Sequence, residues 1–235
     1  EGQFSSPYIG ENAVKLFSSF RRANPDIWIE ATCFGWNPSP WWLFHVNCVL
    51  GTHGDDAPWG VVPSPIYRYS LTTARDYFNL QGAVYSKIPI SAQQVFGIIH
   101  QSDEPFIEDG INAIMRGHNF IPLYFNPKYM NDIRWKTLAE LMKWAKQNKE
   151  ILNTTEVLLP KSWQNGKTPR FKRHEKMPRQ VYGYAHWQDD KGLVHLRNPW
   201  IEHQNYEFKI QCKGNGLCAV SIYPEQRTYA KKLKH

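Results

Sequence analysis

Over residues 1–158, short apolar runs alternate with stretches of helical periodicity, and from residue 181 onward only strand-like runs divided by turn residues remain. That switch constrains the fold more than any other feature. Strand alternating with helix implies a parallel sheet with helical crossovers. Runs of β-formers between Gly, Asp and Asn turns imply antiparallel pairing.

In the first part, Asn12–Ala23 reads as an amphipathic helix with Val14, Phe17 and Phe20 on one face, stopped by Asn24-Pro25-Asp26. Ile27–Phe34 follows as a short strand, Ser39–Asn47 as a short helix with Pro40 in its first turn, and Cys48–Thr52 as a second buried strand. Ile66–Asn79 is expected to be helical, Ile88–Ile90 a third strand and Asp109–Arg116 a helix, while Phe120–Phe125 fits strand or helix equally. Asp132–Ile151 is the clearest helix: Ile133, Leu138, Leu141, Met142 and Ala145 keep helical spacing, and Asn131 or Asp132 can cap it. Half of a (β/α) barrel accommodates this order, with polar loops after the strands.

The composition changes near Leu158. Lys161–Arg179 is basic, polar and broken by Gly and Pro, so residues 159–180 are expected to form a linker or long loop. Val181–Trp187, Leu193–Arg197, Tyr206–Ile210 and Cys218–Tyr223 then read as four antiparallel strands of a β-domain over 181–235, a small sheet or half of a sandwich.

The formal charge of +7 is concentrated in Lys161–Arg179 and Lys231–Lys234, without a recognition helix, RNP-like strand or zinc-finger spacing. Nucleic acid is therefore not the expected partner; a basic surface facing an anionic polysaccharide is. No apolar run is long enough to span a membrane. Cys33 and Cys48 lie in apolar runs and read as buried thiols, whereas Cys212 and Cys218 flank a Gly-rich turn and can close a hairpin disulfide in an oxidising compartment. The chain opens at Glu1 with neither initiating Met nor signal peptide, which fits a fragment or processed product.

Two neighbouring segments carry the chemistry. Trp36-Asn-Pro-Ser-Pro-Trp41-Trp42 is an aromatic loop stiffened by proline, and Gly54-Asp55-Asp56 is a carboxylate pair just after the second strand. Aromatic rings stack on the apolar faces of pyranoses and carboxyl groups move protons at a glycosidic oxygen, so the combination suits sugar cleavage. The bland alternative is a proline-rich corner with core tryptophans and a turn. Asp55 and Asp56, being adjacent, face opposite sides of an extended backbone, so one acid would serve the cleft and its partner must come from elsewhere.

Several stretches resemble the C-terminal half of the melibiase-like glycoside hydrolases, the α-galactosidase and α-N-acetylgalactosaminidase group, and in particular the bacterial branch often labelled "enterotoxin". They are Arg21-Arg22-Ala23-Asn24-Pro25-Asp26, Pro38-Ser39-Pro40-Trp41-Trp42-Leu43, Gly54-Asp55, Trp144-Ala145-Lys146-Gln147-Asn148, Val181-Tyr182-Gly183-Tyr184-Ala185 and Leu196-Arg197-Asn198-Pro199. The resemblance implies an α/β fold: the C-terminal half of a (β/α)8 TIM barrel followed by a small antiparallel β-sandwich domain. It implies a retaining two-carboxylate glycosidase acting on α-linked galactose, N-acetylgalactosamine or anhydrogalactose, without cofactor, in a secreted or periplasmic setting. Ile27–Phe34 and Cys48–Thr52 would be the fifth and sixth barrel strands. Asp55 would be the acid/base, and the nucleophile would lie on a second segment or chain that completes the barrel.

Around Asp55, the substrate-binding candidates are Trp36, Trp41 and Trp42 as a sugar platform, His53, His118 and Asp56 for hydroxyl groups, Arg116 for a sulfate or carboxylate, and Glu30 as a sugar ligand or second acid. The family pattern has no acid at position 30. The spacing of His53, Asp55, Asp56 and His118 matches no metal-ligand pattern. Arg75-Asp76 reads as a surface ion pair on a helix, and Arg197 and Asn198 as structural. The alternative function is a non-catalytic carbohydrate-binding protein that keeps the tryptophan platform.

Overall fold

The computed structural model describes residues 2–31, 39–50, 72–74, 76–77, 79–81, 84, 88–94, 98–100, 106–165, 179–209, 218–224 and 226–230. The chain is a mixed α/β structure whose described strands form two three-stranded and two two-stranded sheets.

Helix α1 spans Gly2–Ala23, starting ten residues before the expected onset, and ends before Pro25. It buries Ala13 and Phe17 against Ile29, Ala31, Val46 and Val49; Phe20, expected on the same face, is exposed. Asn47 fastens this corner. Its Oδ1 accepts from Arg21 Nη2 and from the Ile29 amide, each at 2.9 Å. Strand β1 (Glu30–Ala31) pairs in parallel with β2 (Cys48–Leu50), and β2 in parallel with β3 (Gln93–Gln94). Between β1 and β2 lies a 3-10 helix, Pro40–Phe44, where the sequence placed a short helix; Ser39 Oγ caps it by accepting from the Trp41 amide at 3.3 Å.

The third strand lies further along than Ile88–Ile90. Pro89 instead starts a 3-10 turn over Ile90–Ala92, its fixed backbone suiting that role, and pairing begins at Gln93. Helical residues at 72–74, 76–77 and 79–81 form α2. A second parallel pair, β4 (Ile98–His100) and β5 (Leu123–Phe125), brackets α3 (Ile107–Met115), so Phe120–Phe125 resolves as strand at its end. Helix α4 (Asp132–Gln147) is capped by Asn131, whose Oδ1 accepts from the Arg134 amide at 3.0 Å. The long helix expected to reach Ile151 breaks at Asn148, whose Nδ2 donates to the Trp144 carbonyl, and resumes as α5 (Lys149–Leu152).

Strands β6 (Thr155–Leu158), β7 (Tyr182–Gln188) and β8 (Lys191–Arg197) form an antiparallel sheet. Its first strand comes from ahead of the basic segment. Residues 206–209, expected to be a strand, join no ladder: the Tyr206 hydroxyl ties the segment to the Leu159 carbonyl at 2.7 Å. Strands β9 (Ala219–Ser221) and β10 (Arg227–Ala230) pair antiparallel, inside and just beyond the expected Cys218–Tyr223 run. Cys48 is a buried free thiol; Cys218 is exposed and free, and Cys33 and Cys212 lie outside the described residues. Among the described residues no helix is long and apolar enough to cross a membrane.

Candidate functional site

Parallel pairing makes β1 and β2 end on the same side of their sheet, at Ala31 and Leu50. Trp36 follows the first end in sequence, and His53, Asp55 and Asp56 follow the second; all four lie outside the described residues. In register, Ala31 faces the same way as Val49, and both pack in the cluster built on α1. Alternation puts Glu30 and its neighbour Cys48 on the other face. Glu30 is half-buried, and the loss of solvent raises its carboxyl above the usual glutamate range. A carboxyl so raised is suited to donating a proton.

The two described tryptophans of the aromatic loop divide their roles. Trp42 is buried and meets Phe17 edge to face at 6.3 Å between centroids. Trp41 is 49 % exposed, lying 4.9 Å from the Trp42 ring and 4.7 Å from the His45 ring. Trp41 thus retains open aromatic surface, while Trp42 is committed to the core.

Arg116 and His118 are in another place. Helix α3 leads from β4 back to the start of its parallel partner β5, so its last turn sits beside the amino end of β5. Arg116 is buried there, and its Nε donates to Asp76 Oδ1 at 2.6 Å. It therefore meets a carboxylate of the protein itself. His118 is also buried; burial first, then the Arg116 charge, push its imidazole down to about 3, and among the described residues its Nε2 has no hydrogen-bond partner. The structure brings these two close enough for the Arg116 charge to act on the His118 ring, while Glu30 and Trp41 belong to the β1–β2 corner.

Asp76 is the centre of the most developed polar cluster among the described residues. Expected at the surface, it is completely buried on α2; Arg75, its presumed partner, lies outside the described residues. Oδ1 also accepts from the Tyr184 hydroxyl at 3.1 Å, and Oδ2 accepts from Asn112 Nδ2 at 3.0 Å and from the Tyr182 hydroxyl. Arg197 Nη1 in turn donates to the Tyr182 oxygen at 2.7 Å and to Thr73 Oγ1 at 2.6 Å. His195 Nε2 donates to Asn112 Oδ1 at 2.9 Å, a direction fixed because the Asn112 amide nitrogen already serves Asp76.

Burial by itself would raise the Asp76 carboxyl; the charges of Arg116 and Arg197 and the donated hydrogen bonds outweigh it and hold the group below the usual aspartate range. Burial and the adjacent carboxylate push both tyrosine phenols up, so they remain donors. This cluster joins α2, α3 and the antiparallel sheet. The sequence held a signal for it: Asn112 and Arg116 share a helix face, and Tyr182 and Tyr184 share a strand face.

In fold the chain resembles a solved structure, the crystal structure of the alpha-galactosidase from Lactobacillus brevis, with a TM-score of 0.54 and 9% identity over 91% of this chain. The chain spans 26% of that enzyme's length, and at such identity the likeness concerns the fold alone. No protein-family model matches the chain, and no curated protein does.

Proposed function

We propose that this chain contributes the acid/base part of a retaining glycoside hydrolase acting on α-linked galactose-type sugars. The fold likeness to an alpha-galactosidase carries the reading. The order of the chain supports it: Asp55 follows the end of β2 in sequence, and active sites of parallel α/β folds lie beyond the carboxyl ends of strands.

In this reading Asp55 protonates the glycosidic oxygen and then deprotonates the incoming water, while an aspartate outside residues 1–235 attacks the anomeric carbon. Trp41 and Trp36 stack on the sugar, and His53 and Asp56 hold its hydroxyls. Glu30, with its raised carboxyl, serves as a neighbouring proton-bearing group. Arg116 and Trp42 support the fold instead of touching substrate.

The test is Asp55→Asn in the full-length protein. With a poor leaving group, turnover should fall by roughly 10²–10⁴-fold. With an activated nitrophenyl α-galactoside, azide should restore turnover by intercepting the covalent intermediate. Near-normal turnover of the unactivated substrate in the variant refutes the role.

A further inference from the structure

A second polar hollow, away from the aromatic loop, has the chemistry of a ligand site. It is a groove of about 390 Å³ between the 3-10 turn Lys161–Trp163, the entry to β7 and residues 204–206. Ligand pockets run from roughly 300 to 1,000 Å³, so there is room for a small saccharide.

Its walls are braced by packing and by hydrogen bonds that several lining residues make with the chain around them. Trp163 is buried and meets Tyr77 edge to face at 5.1 Å, anchoring the turn. The Ser162 amide donates to Gln180 Oε1 at 3.0 Å, joining the two sides. Gln204 Nε2 donates to the Arg179 carbonyl and to Asn198 Oδ1, both at 2.7 Å, and Tyr206 is tied to Leu159. Next to Gln180 in sequence, the Arg179 guanidinium lies 3.5 Å from the centre of the Trp200 ring.

The groups left over define the ligand. Lys161, Asn165 and Asn205 are exposed lining residues, and among the described residues their side chains hold no hydrogen bond or ion pair. A carboxamide both donates and accepts, which matches sugar hydroxyls that do the same. Among the described residues no carboxylate lines the groove, which disfavours a hard cation, and the Lys161 ammonium adds a preference for negative charge. Pre-set walls also reduce the ordering cost of binding.

We propose that this groove is a saccharide-binding site selecting sugars that bear a sulfate or carboxylate group. Asn165 and Asn205 bind the hydroxyls, and Lys161 meets the anionic substituent. The proposal does not rest on the hydrolase reading.

Galactose 6-sulfate, galactose and inorganic sulfate are titrated separately into the ¹⁵N-labelled full chain, following the side-chain amide signals of Asn165 and Asn205. Saturable shifts with galactose 6-sulfate are expected, at an affinity roughly fivefold above galactose, about the worth of one exposed ion pair. Lys161→Gln should erase that difference, and Asn165→Ala with Asn205→Ala should abolish binding without changing the urea midpoint. Asp55→Asn should leave it intact, separating this site from the proposed catalytic one. Absent shifts, unchanged binding in the double variant, or equal shifts with inorganic sulfate overturn the proposal.

Discussion

Arg116 Nε donates a 2.6 Å hydrogen bond to Asp76 Oδ1, with both side chains sealed from solvent. The pair unites two helices, and through Tyr182 and Tyr184 it unites them with a sheet. Breaking such a pair from one side leaves a buried charge uncompensated. Asp76→Ala should therefore cost about 3–5 kcal/mol in urea unfolding. Because the partners act together, Asp76→Ala with Arg116→Met should cost less than the sum of the single changes. Additive losses contradict the coupling.

Gly117 ends α3 with a φ of 76°, a conformation that side chains rarely adopt. A Cβ there would lie 1.8 Å from Thr155 Oγ1 and 2.7 Å from the Leu152 carbonyl oxygen. Gly117→Ala should destabilise by about 1–3 kcal/mol, from backbone strain together with overlap. Thermal unfolding checks this, and an unchanged midpoint would mean the contact is looser than described.

The buried histidines make stability sensitive to acid. His118 is pushed down to about 3 and His195 to about 4, in each case chiefly by burial. Once unfolded, each takes up a proton near 6.5. Between about pH 4 and 6.5 the unfolded chain binds more protons than the folded one, so stability falls as the pH is lowered through that window. Asp76, held low, adds its own loss only as the pH drops below the ordinary aspartate range. The urea midpoint should decline from pH 7.5 to 4.5, and His118→Leu should flatten the decline. A profile level across that range would sink the argument.

Trp41 and Trp42 should separate stability from binding. Trp42→Ala removes a core ring and should cost about 3–5 kcal/mol. Trp41→Ala, at a half-exposed position, should leave the unfolding midpoint almost unmoved while weakening galactoside binding. Equal destabilisation by both changes would make Trp41 a packing residue and remove it from the proposed sugar platform.

What could be read from the residues alone was what short-range chemistry decides. Pro40 in the first turn of a short helix, Asn131 capping α4, and the β-formers of Val181–Trp187 all act within a few positions of themselves. Ile98–His100 and Thr155–Leu158 went unrecognised because three or four residues show no period, and their partners lie further along the chain, in β5 and β7. Asp76 was misread for the same reason. Its environment is made by residues 36 to 108 positions away, which a helical pattern cannot reveal. The aromatic loop was legible as a motif, whereas the division between a buried Trp42 and an open Trp41 depended on where α1 docks.

Strand β6 pairs Leu158 with Gly183 and Thr155 with His186, so it covers one flank of β7 along its first residues. A polypeptide begun at residue 159 would lack that cover. The exposed main-chain amides and carbonyls of β7 would then act as a template for other copies, and such a truncation would self-associate more readily than the longer chain.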